Sequence, residues 1–217
     1  MIKARHVPFH VWFFDVYSRW MIKRHFRTME IHGQPAEEDK AIMIIGNHFS
    51  WWDGFFIVEV NRRLWKKRFH VMMLEYQLEK RKFLNKAGAF SIRKGSRSLI
   101  PSLQYAGQVL SDKDNLMLTF PQGKIQTHHK CSFTFGKRVA TVLKNTDDPP
   151  QVIFSAVLVD YFSEKSHNAS VPITGMRDPL YLFNQSCCEP MPYENVIKPV
   201  STGHGWRAEV PRWNNSV

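Results

Sequence analysis

A histidine and an aspartate lie close together in a short segment that is rich in turn-forming residues, 46–54 (GNHFSWWDG). A carboxylate that bonds one ring nitrogen of an imidazole fixes the ring, and the second nitrogen is then placed to act as a general base. His48 and Asp53 have the types and the spacing for this chemistry. The same two residues also occur at this spacing by chance, so the surrounding sequence must decide between the two interpretations.

The residues on either side of His48 predict the elements that would position it. Residues 41–45 (AIMII) form an apolar run of strand length that ends at a glycine, which predicts a buried strand of an α/β sheet. His48 would then lie at the carboxyl end of that strand, where open α/β sheets bind ligands. Residues 51–64 have a helical pattern, with Asp53 in the first turn, where the helix dipole favours a carboxylate.

The rest of the chain alternates strand and helix patterns over most of its length. Predicted strands are 69–74, 88–92, 116–120 and 152–159, and predicted helices are 75–86, 96–110 and 134–144. The short segment 30–33 is either a first strand or its turn. A hairpin-like pair is predicted over 171–181 around Gly175, and an irregular tail with one short helix from about residue 187. These patterns predict a single α/β domain with a central, mixed, mostly parallel sheet flanked by helices.

The N-terminal segment is aromatic and basic, and its apolar pattern over 9–26 predicts a helix. Asp15 and Arg19 interrupt the apolar run, so it falls short of the roughly 18–20 residues that span a bilayer. Two alternatives remain: an interfacial helix that lies among lipid headgroups, or a helix that packs on the core. We expect residues 1–28 to form an amphipathic membrane-associating helix and 29–217 to form the main domain.

Two further blocks accompany the Asn47, His48 and Asp53 set, which fits the pattern N-H-x-x-x-x-D. Residues 88–93 (GAFSIR) fit G-x-F-x-x-R, and residues 120–126 (FPQGKIQ) partly fit F-P-E-G-T-R-S. In this order and with these separations, the three blocks resemble those of the glycerolipid acyltransferase family, which includes the lysophosphatidate acyltransferases. The resemblance covers about residues 40–160.

This chain departs from the family pattern in the third block. Phe120, Pro121 and Gly123 match, whereas Gln122 stands at the position of the glutamate and Lys124 at that of the threonine. Phosphate contacts that could replace the missing arginine are Lys124, His128, His129 and Lys130. A fourth family block is not recognisable in 151–159.

The resemblance implies an acyltransferase in which His48 is the general base and Asp53 orients it. The acyl group would pass from acyl-CoA or an acyl carrier protein to the hydroxyl of a lysolipid or related lipid, with no cofactor besides this donor. Arg93 would hold the phosphate of the acceptor, the alternative being a surface charge. The substrate-binding residues implied in this way are Asn47, Arg93, Phe120, Pro121, Gln122, Gly123 and Lys124.

The altered third block leaves other functions open. One is N- or O-acyl transfer to an amino-acid lipid or another non-glycerolipid acceptor by an enzyme of the same fold. The other is a basic membrane-binding protein without catalysis.

The composition restricts the partners. The 217 residues, 43% apolar and 23% charged, suit one globular domain. A net charge of +11 predicts an acidic partner, for which nucleic acid, an anionic membrane surface and phosphorylated small molecules all qualify. Nucleic acid is not predicted, because no basic block accompanies a recognisable nucleic-acid motif. The basic cluster within 62–68 is either a solvated helix end or a membrane or phosphate contact.

The cysteines and histidines predict neither disulfides nor a metal site. The chain has three cysteines, two of them adjacent at 187 and 188, which fits a reducing compartment. His128 and His129 have no third ligand at a recognisable spacing. We therefore expect a peripheral protein on the cytoplasmic face of the membrane.

Overall fold

A computed structural model describes residues 1–33, 39–93, 96–127, 138–160, 167–176, 198–202 and 205–209. The helices are α1 Pro8–His25, α2 Asp53–Leu64, α3 Glu75–Lys80, α4 Lys82–Asn85, α5 Ser96–Leu110 and α6 Arg138–Lys144. The strands are β1 Phe26–Gly33, β2 Ile42–Gly46, β3 Arg68–Leu74, β4 Ala89–Ile92, β5 Asn115–Thr119, β6 Gln151–Ser155, β7 Leu158–Asp160, β8 His167–Met176, β9 Lys198–Thr202 and β10 Gly205–Glu209.

One eight-stranded sheet organises the domain, in the order β1-β8-β6-β2-β5-β3-β4, with β7 paired to β8. The five strands from β6 to β4 run parallel, whereas β8 runs antiparallel to β6, and β1 runs parallel to β8. This arrangement confirms the predicted mixed, mostly parallel sheet. Strands β9 and β10 pair separately as an antiparallel hairpin.

The central strands are covered on both faces. Every residue of β2 and β5 is buried, as expected for apolar runs in a parallel sheet. One hydrophobic cluster joins Ile42 and Ile44 to α2 and α1, and the other joins Met43 and Ile45 to α5 and α6. Alternate side chains of the same strand therefore serve the two cores.

Helix α1 packs on the core with a narrow face and exposes a wide aromatic one. Ser18 and Ile22 are buried, and Phe14 stacks on Phe55 of α2 at a centroid distance of 5.7 Å. The exposed apolar side chains of α1 are Phe9, Val11, Trp12, Phe13, Val16 and Trp20. The core-packing interpretation thus describes one face of α1, and membrane contact stays a prediction for the other. Among the described residues, no helix is both long enough and apolar enough to cross a membrane.

Four predicted elements differ from the structure. The predicted helix 75–86 is two short helices, because Arg81 adopts a non-helical conformation (φ −130, ψ 55). The predicted strand 152–159 is divided into β6 and β7 at Val157, whose backbone bonds the side chain of Asn47 instead of a neighbouring strand. Gly175 does not form a turn, since it pairs with Ile153 inside β8.

The fourth difference lies in the tail. Residues 198–202 and 205–209, predicted as irregular structure, form the strands β9 and β10, which pair in a hairpin. The prediction gives the short helix no position within the tail, and the other residues from about 187 onward lie outside the described part of the chain. The predicted helix 134–144 is seen from Arg138 onward, and its first residues lie outside the described part of the chain.

Candidate active site

The side chains of His48 and Asp53 meet at the carboxyl edge of the sheet, just beyond β2. The Nδ1 atom of His48 lies 2.7 Å from Oδ2 of Asp53. Asp53 is 1% exposed, whereas the His48 side chain retains 26% of its exposure. The pair therefore has its carboxylate inside the protein and its imidazole at the surface, and the second ring nitrogen, Nε2, is the atom that remains to take a proton.

The carboxylate of Asp53 also closes the turn that carries His48. Its Oδ2 accepts the backbone N–H groups of Phe49 and Ser50 at 3.0 and 3.2 Å, and its Oδ1 accepts the Ser50 hydroxyl at 3.0 Å. The side chain of Ser50 in turn accepts the N–H of Trp52 at 3.0 Å. The residue that aims the imidazole thus also shapes the backbone from which the imidazole projects.

Asn47 anchors this turn to the neighbouring strand. Its Nδ2 donates to the carbonyl of Val157 at 3.2 Å, and its Oδ1 accepts the N–H of Val157 at 2.9 Å. Asn47 is buried, and both polar ends of its amide are engaged by the backbone of one residue, Val157. The structure therefore gives Asn47 a positioning role, and its predicted contact with substrate stays a prediction.

The ring of Phe120 stacks on His48. The two centroids are 4.3 Å apart and the planes are tilted by 17°. Gly46 leaves room for this contact, because a Cβ atom there would approach the Phe120 ring to 3.0 Å. With Asp53 on one nitrogen and Phe120 against its face, the imidazole is fixed in two directions.

The third block encloses the backbone of His48. Gln122 Oε1 accepts the N–H of His48 at 2.5 Å, and the N–H of Gln126 donates to the His48 carbonyl at 2.8 Å. The two glutamines are themselves joined, Nε2 of Gln122 to Oε1 of Gln126, at 3.3 Å. Sequence reasoning missed Gln126, because its contact with His48 joins two segments that are far apart in the sequence.

Gly123 makes this chain reversal. It has a left-handed φ of 65°, which favours glycine, and its N–H donates to the carbonyl of Phe120 at 3.1 Å. That N–H closes the turn and is not aimed at an incoming carbonyl oxygen. Pro121 is partly buried in the same turn, and Lys124 is exposed beyond it.

Arg93, like His48, follows the carboxyl end of its strand, but β4 is the last strand of the sheet, three strands away from β2. The strand registers can be continued for a few positions past the strand ends. They then align one residue from each of β2, β5, β3 and β4 in a row: His48, Gln122, Glu75 and Arg93. Three strand spacings separate the two ends of this row, about 14 Å. The Arg93 side chain is 58% exposed, and its guanidinium is bonded to Glu75.

The basic cluster within 62–68 is occupied by protein partners. Arg62 and Arg63 both bond the buried Glu59 at 2.7 Å. Arg68 pairs with Asp112 at 2.7 Å, and Lys67 donates to a backbone carbonyl. These contacts favour the structural interpretation of the cluster over a membrane contact.

No group of three or more histidine, cysteine, aspartate or glutamate side chains suited to a metal ion occurs within the described ranges. His128, His129 and the three cysteines lie outside those ranges.

Comparisons with known proteins give a family match in sequence and a similar fold. A family described as Acyltransferase matches residues 28–156 in sequence. The fold is similar to the crystal structure of the 1-acyl-sn-glycerophosphate (LPA) acyltransferase PlsC from Thermotoga maritima, with a TM-score of 0.55. That match covers 79% of this chain and 73% of the other, at 12% identity. No curated protein matches this chain in sequence. All three sequence blocks lie within the range matched by the family.

Proposed function

We propose, from the premise that this chain belongs to the acyltransferase family and is an acyltransferase, that it moves a fatty acyl group from an acyl thioester to a hydroxyl of a lipid acceptor. The observation that carries this proposal is the 2.7 Å contact between His48 Nδ1 and the buried Asp53 carboxylate at the carboxyl edge of the sheet. A base aimed in this way suits deprotonation of a hydroxyl.

The reaction needs no acyl-enzyme intermediate. Nε2 of His48 takes the proton of the acceptor hydroxyl while its oxygen attacks the thioester carbonyl. The tetrahedral intermediate collapses, the carbon–sulfur bond breaks, and the thiolate leaves and recovers the proton from the imidazolium. The products are an ester and a free thiol, on coenzyme A or on an acyl carrier protein.

Two neighbours stabilise the transient imidazolium. Asp53 holds Nδ1 and offers a negative charge, as the buried aspartate does in serine hydrolases. The Phe120 ring presents its face to the imidazole at 4.3 Å, which favours a cation over a neutral ring. Both groups therefore lower the energy of the state in which the acceptor has lost its proton.

We also propose that the protein sits on an anionic membrane surface, at the cytoplasmic face. The exposed side of α1 carries Trp12 (60% exposed) and Phe13 (49%), and Lys23 and Arg24 are exposed in its last turn. Aromatic side chains beside basic ones are what interfacial helices place among headgroups. Trp51, three positions after His48, is 56% exposed and packs on Phe55, which also contacts α1.

The catalytic proposal is tested by thiol release. Purified protein is incubated with long-chain acyl-CoA or acyl carrier protein and a panel of lysolipid acceptors, and thiol and acylated lipid are measured together. We expect His48→Ala to lower the rate of transfer on the order of a hundredfold or more, as for a lost general base. His32→Ala, at a partly exposed histidine of β1, is the matched control. Equal rates for His48→Ala and wild type would remove His48 from the mechanism.

The membrane proposal is tested by substitution rather than deletion, because Ile22 and Phe26 belong to the core. Trp12→Ser combined with Phe13→Ser should reduce sedimentation with anionic vesicles by about tenfold or more, since it removes interfacial aromatic area. Phe83→Ser, at an equally exposed aromatic of α4, is the control. If the double variant sediments with vesicles as wild type does, the exposed aromatic side chains of α1 do not bind the membrane.

A further inference from the structure

Three consecutive cations, Lys80, Arg81 and Lys82, lie where α3 ends and α4 begins. All three side chains are exposed, and within the described part of the chain none of them forms an ion pair or a hydrogen bond. The basic cluster within 62–68 differs, because its arginines bond Glu59 and Asp112. The charge at the α3–α4 junction therefore remains available to a partner outside the domain.

The backbone that carries these cations is held in one shape. Arg81 leaves the helical conformation, and its N–H donates to the carbonyl of Leu78 at 3.0 Å. The carbonyl of Arg81 accepts the N–H of Leu84 at 2.9 Å. Leu78 is 1% exposed, and the side chain of Asn85 fixes the end of α4 through bonds to two backbone carbonyls. The cations thus project from an ordered surface, which lowers the cost of ordering on binding.

Two exposed aromatic side chains flank the cations. Tyr76 is 57% exposed and Phe83 is 50% exposed. Residues 76–86 carry four cations and one carboxylate, Glu79, so the segment is net positive. Aromatic residues and arginine are the types that protein interfaces concentrate, and a positive patch selects a partner of negative potential. We call this segment, from Tyr76 to Phe83, the junction surface.

The junction surface lies at a limited distance from His48. Glu75, the first residue of α3, is in the row that contains His48, two strand spacings or about 10 Å away. The six residues of α3 add about 9 Å. Lys80 is therefore within roughly 20 Å of the proposed base. A donor bound there must present its thioester at the end of a long, flexible arm.

We propose that the junction surface docks an acidic acyl carrier protein, whose phosphopantetheine arm brings the acyl thioester to His48. The proposal rests on the proposed function and names its donor. A membrane is a poorer occupant, because helices of six and four residues are too short to lie among headgroups as α1 can. The junction surface thus serves the donor, whereas the exposed face of α1 serves the lipid.

The test measures binding of the donor without an acceptor. The full chain is titrated into fluorescently labelled palmitoyl-acyl carrier protein, and separately into palmitoyl-CoA, in the same neutral detergent. Lys80→Glu combined with Lys82→Glu should weaken binding of the carrier protein at least about tenfold, because it reverses charges that face an acidic partner. Binding of palmitoyl-CoA should stay within about twofold of wild type. Raising the salt concentration should weaken binding of the carrier protein to wild type.

The matched control reverses two lysines at the other edge of the sheet. Lys66 and Lys113 are exposed and lie just before the amino ends of β3 and β5. Lys66→Glu combined with Lys113→Glu changes the net charge by the same amount and should leave binding of the carrier protein within about twofold of wild type. Should the first double variant unfold, Lys80→Gln with Lys82→Gln removes the charges without reversing them, and about threefold weaker binding is expected.

Four results would overturn the proposal. Wild type does not bind palmitoyl-acyl carrier protein, or the reversal at Lys80 and Lys82 leaves this binding unchanged. The reversal weakens palmitoyl-CoA equally, which would assign the cations to the nucleotide phosphates of coenzyme A. The reversal lowers sedimentation with anionic vesicles and not binding of the carrier protein, which would make the junction surface a membrane contact. A chain that binds the carrier protein as expected but releases no thiol with any acceptor overturns the proposed function alone.

Discussion

Two carboxylates at the carboxyl edge of the sheet each bind a nitrogen-bearing side chain, and the two contacts have different consequences. Asp53 is near its partner in sequence, lies fully inside the protein and aims an imidazole whose other nitrogen stays accessible. Glu75 is 18 positions from Arg93 and binds the Nε and Nη2 atoms of its guanidinium. In the proposed mechanism the first pair prepares a base, whereas the second is an ion pair whose carboxylate also lies 3.4 Å from the Met1 ammonium. The sign of a side chain's charge therefore indicates little about what that side chain binds until its partners within the protein are known.

The largest effect should come from uncoupling Asp53 from His48. Asp53→Asn retains the size of the side chain but cannot hold the imidazole as a carboxylate does. We expect acyl transfer to fall on the order of a hundredfold or more. Asp112→Asn, in the exposed pair with Arg68, should change the rate little. The measurement is thiol release with thermal unfolding of each variant, and near-wild-type transfer by Asp53→Asn would contradict the comparison.

A smaller effect should come from the amide that holds the backbone of His48. Gln122→Leu leaves the N–H of His48 without its side-chain acceptor, and an unsatisfied donor costs about 1–3 kcal/mol. The backbone of His48 shifts to avoid this cost, and the imidazole shifts with it. We expect transfer to fall about tenfold. Gln122→Glu keeps an acceptor oxygen and should retain most of the activity. Equal losses in the two variants would show that the His48 N–H does not depend on this oxygen.

The smallest effect should be on the free energy of unfolding at acidic pH, through the carboxylate of Glu75. Because its folded-state pKa is about 2 and lies below the ordinary 4.5, the ionised carboxylate stabilises the fold above pH 4.5. This contribution is lost as pH falls from 4.5 through about 2. Urea unfolding of wild type and Glu75→Gln should therefore differ most near neutral pH and converge toward pH 2. A constant difference across this range would show that the pairing of Glu75 with Arg93 does not stabilise the fold.

Much of the site could be predicted because its parts are local. The apolar run 41–45 determines a buried strand, and the five positions from His48 to Asp53 allow a turn to join them. The three ordered blocks predicted the family to which the chain belongs. The assignment of substrate contacts to Phe120, Pro121, Gln122, Gly123 and Lys124 stays a prediction, although Phe120 and Gln122 contact His48 directly.

The elements that were wrong depend on distant partners. Nothing in the sequence of 75–86 breaks a helix, yet Asn85 bonds the carbonyls of Lys3 and Ala89, and the helix divides at Arg81. Likewise, Gly175 lies within a strand because β6 supplies its backbone partners. Local propensity is a weak determinant where tertiary contacts supply backbone partners.

The sequence by itself determined the strand, the turn and the residue pair proposed to act as a base, because hydrophobic pattern and short spacing act within a few positions. Only the tertiary structure decided which groups surround that base. Strand register brought Gln126 to the backbone of His48 and Glu75 to Arg93. Hydrogen bonds and ion pairs between remote residues depend on distances of a few ångströms, which arise only once the sheet has aligned its strands.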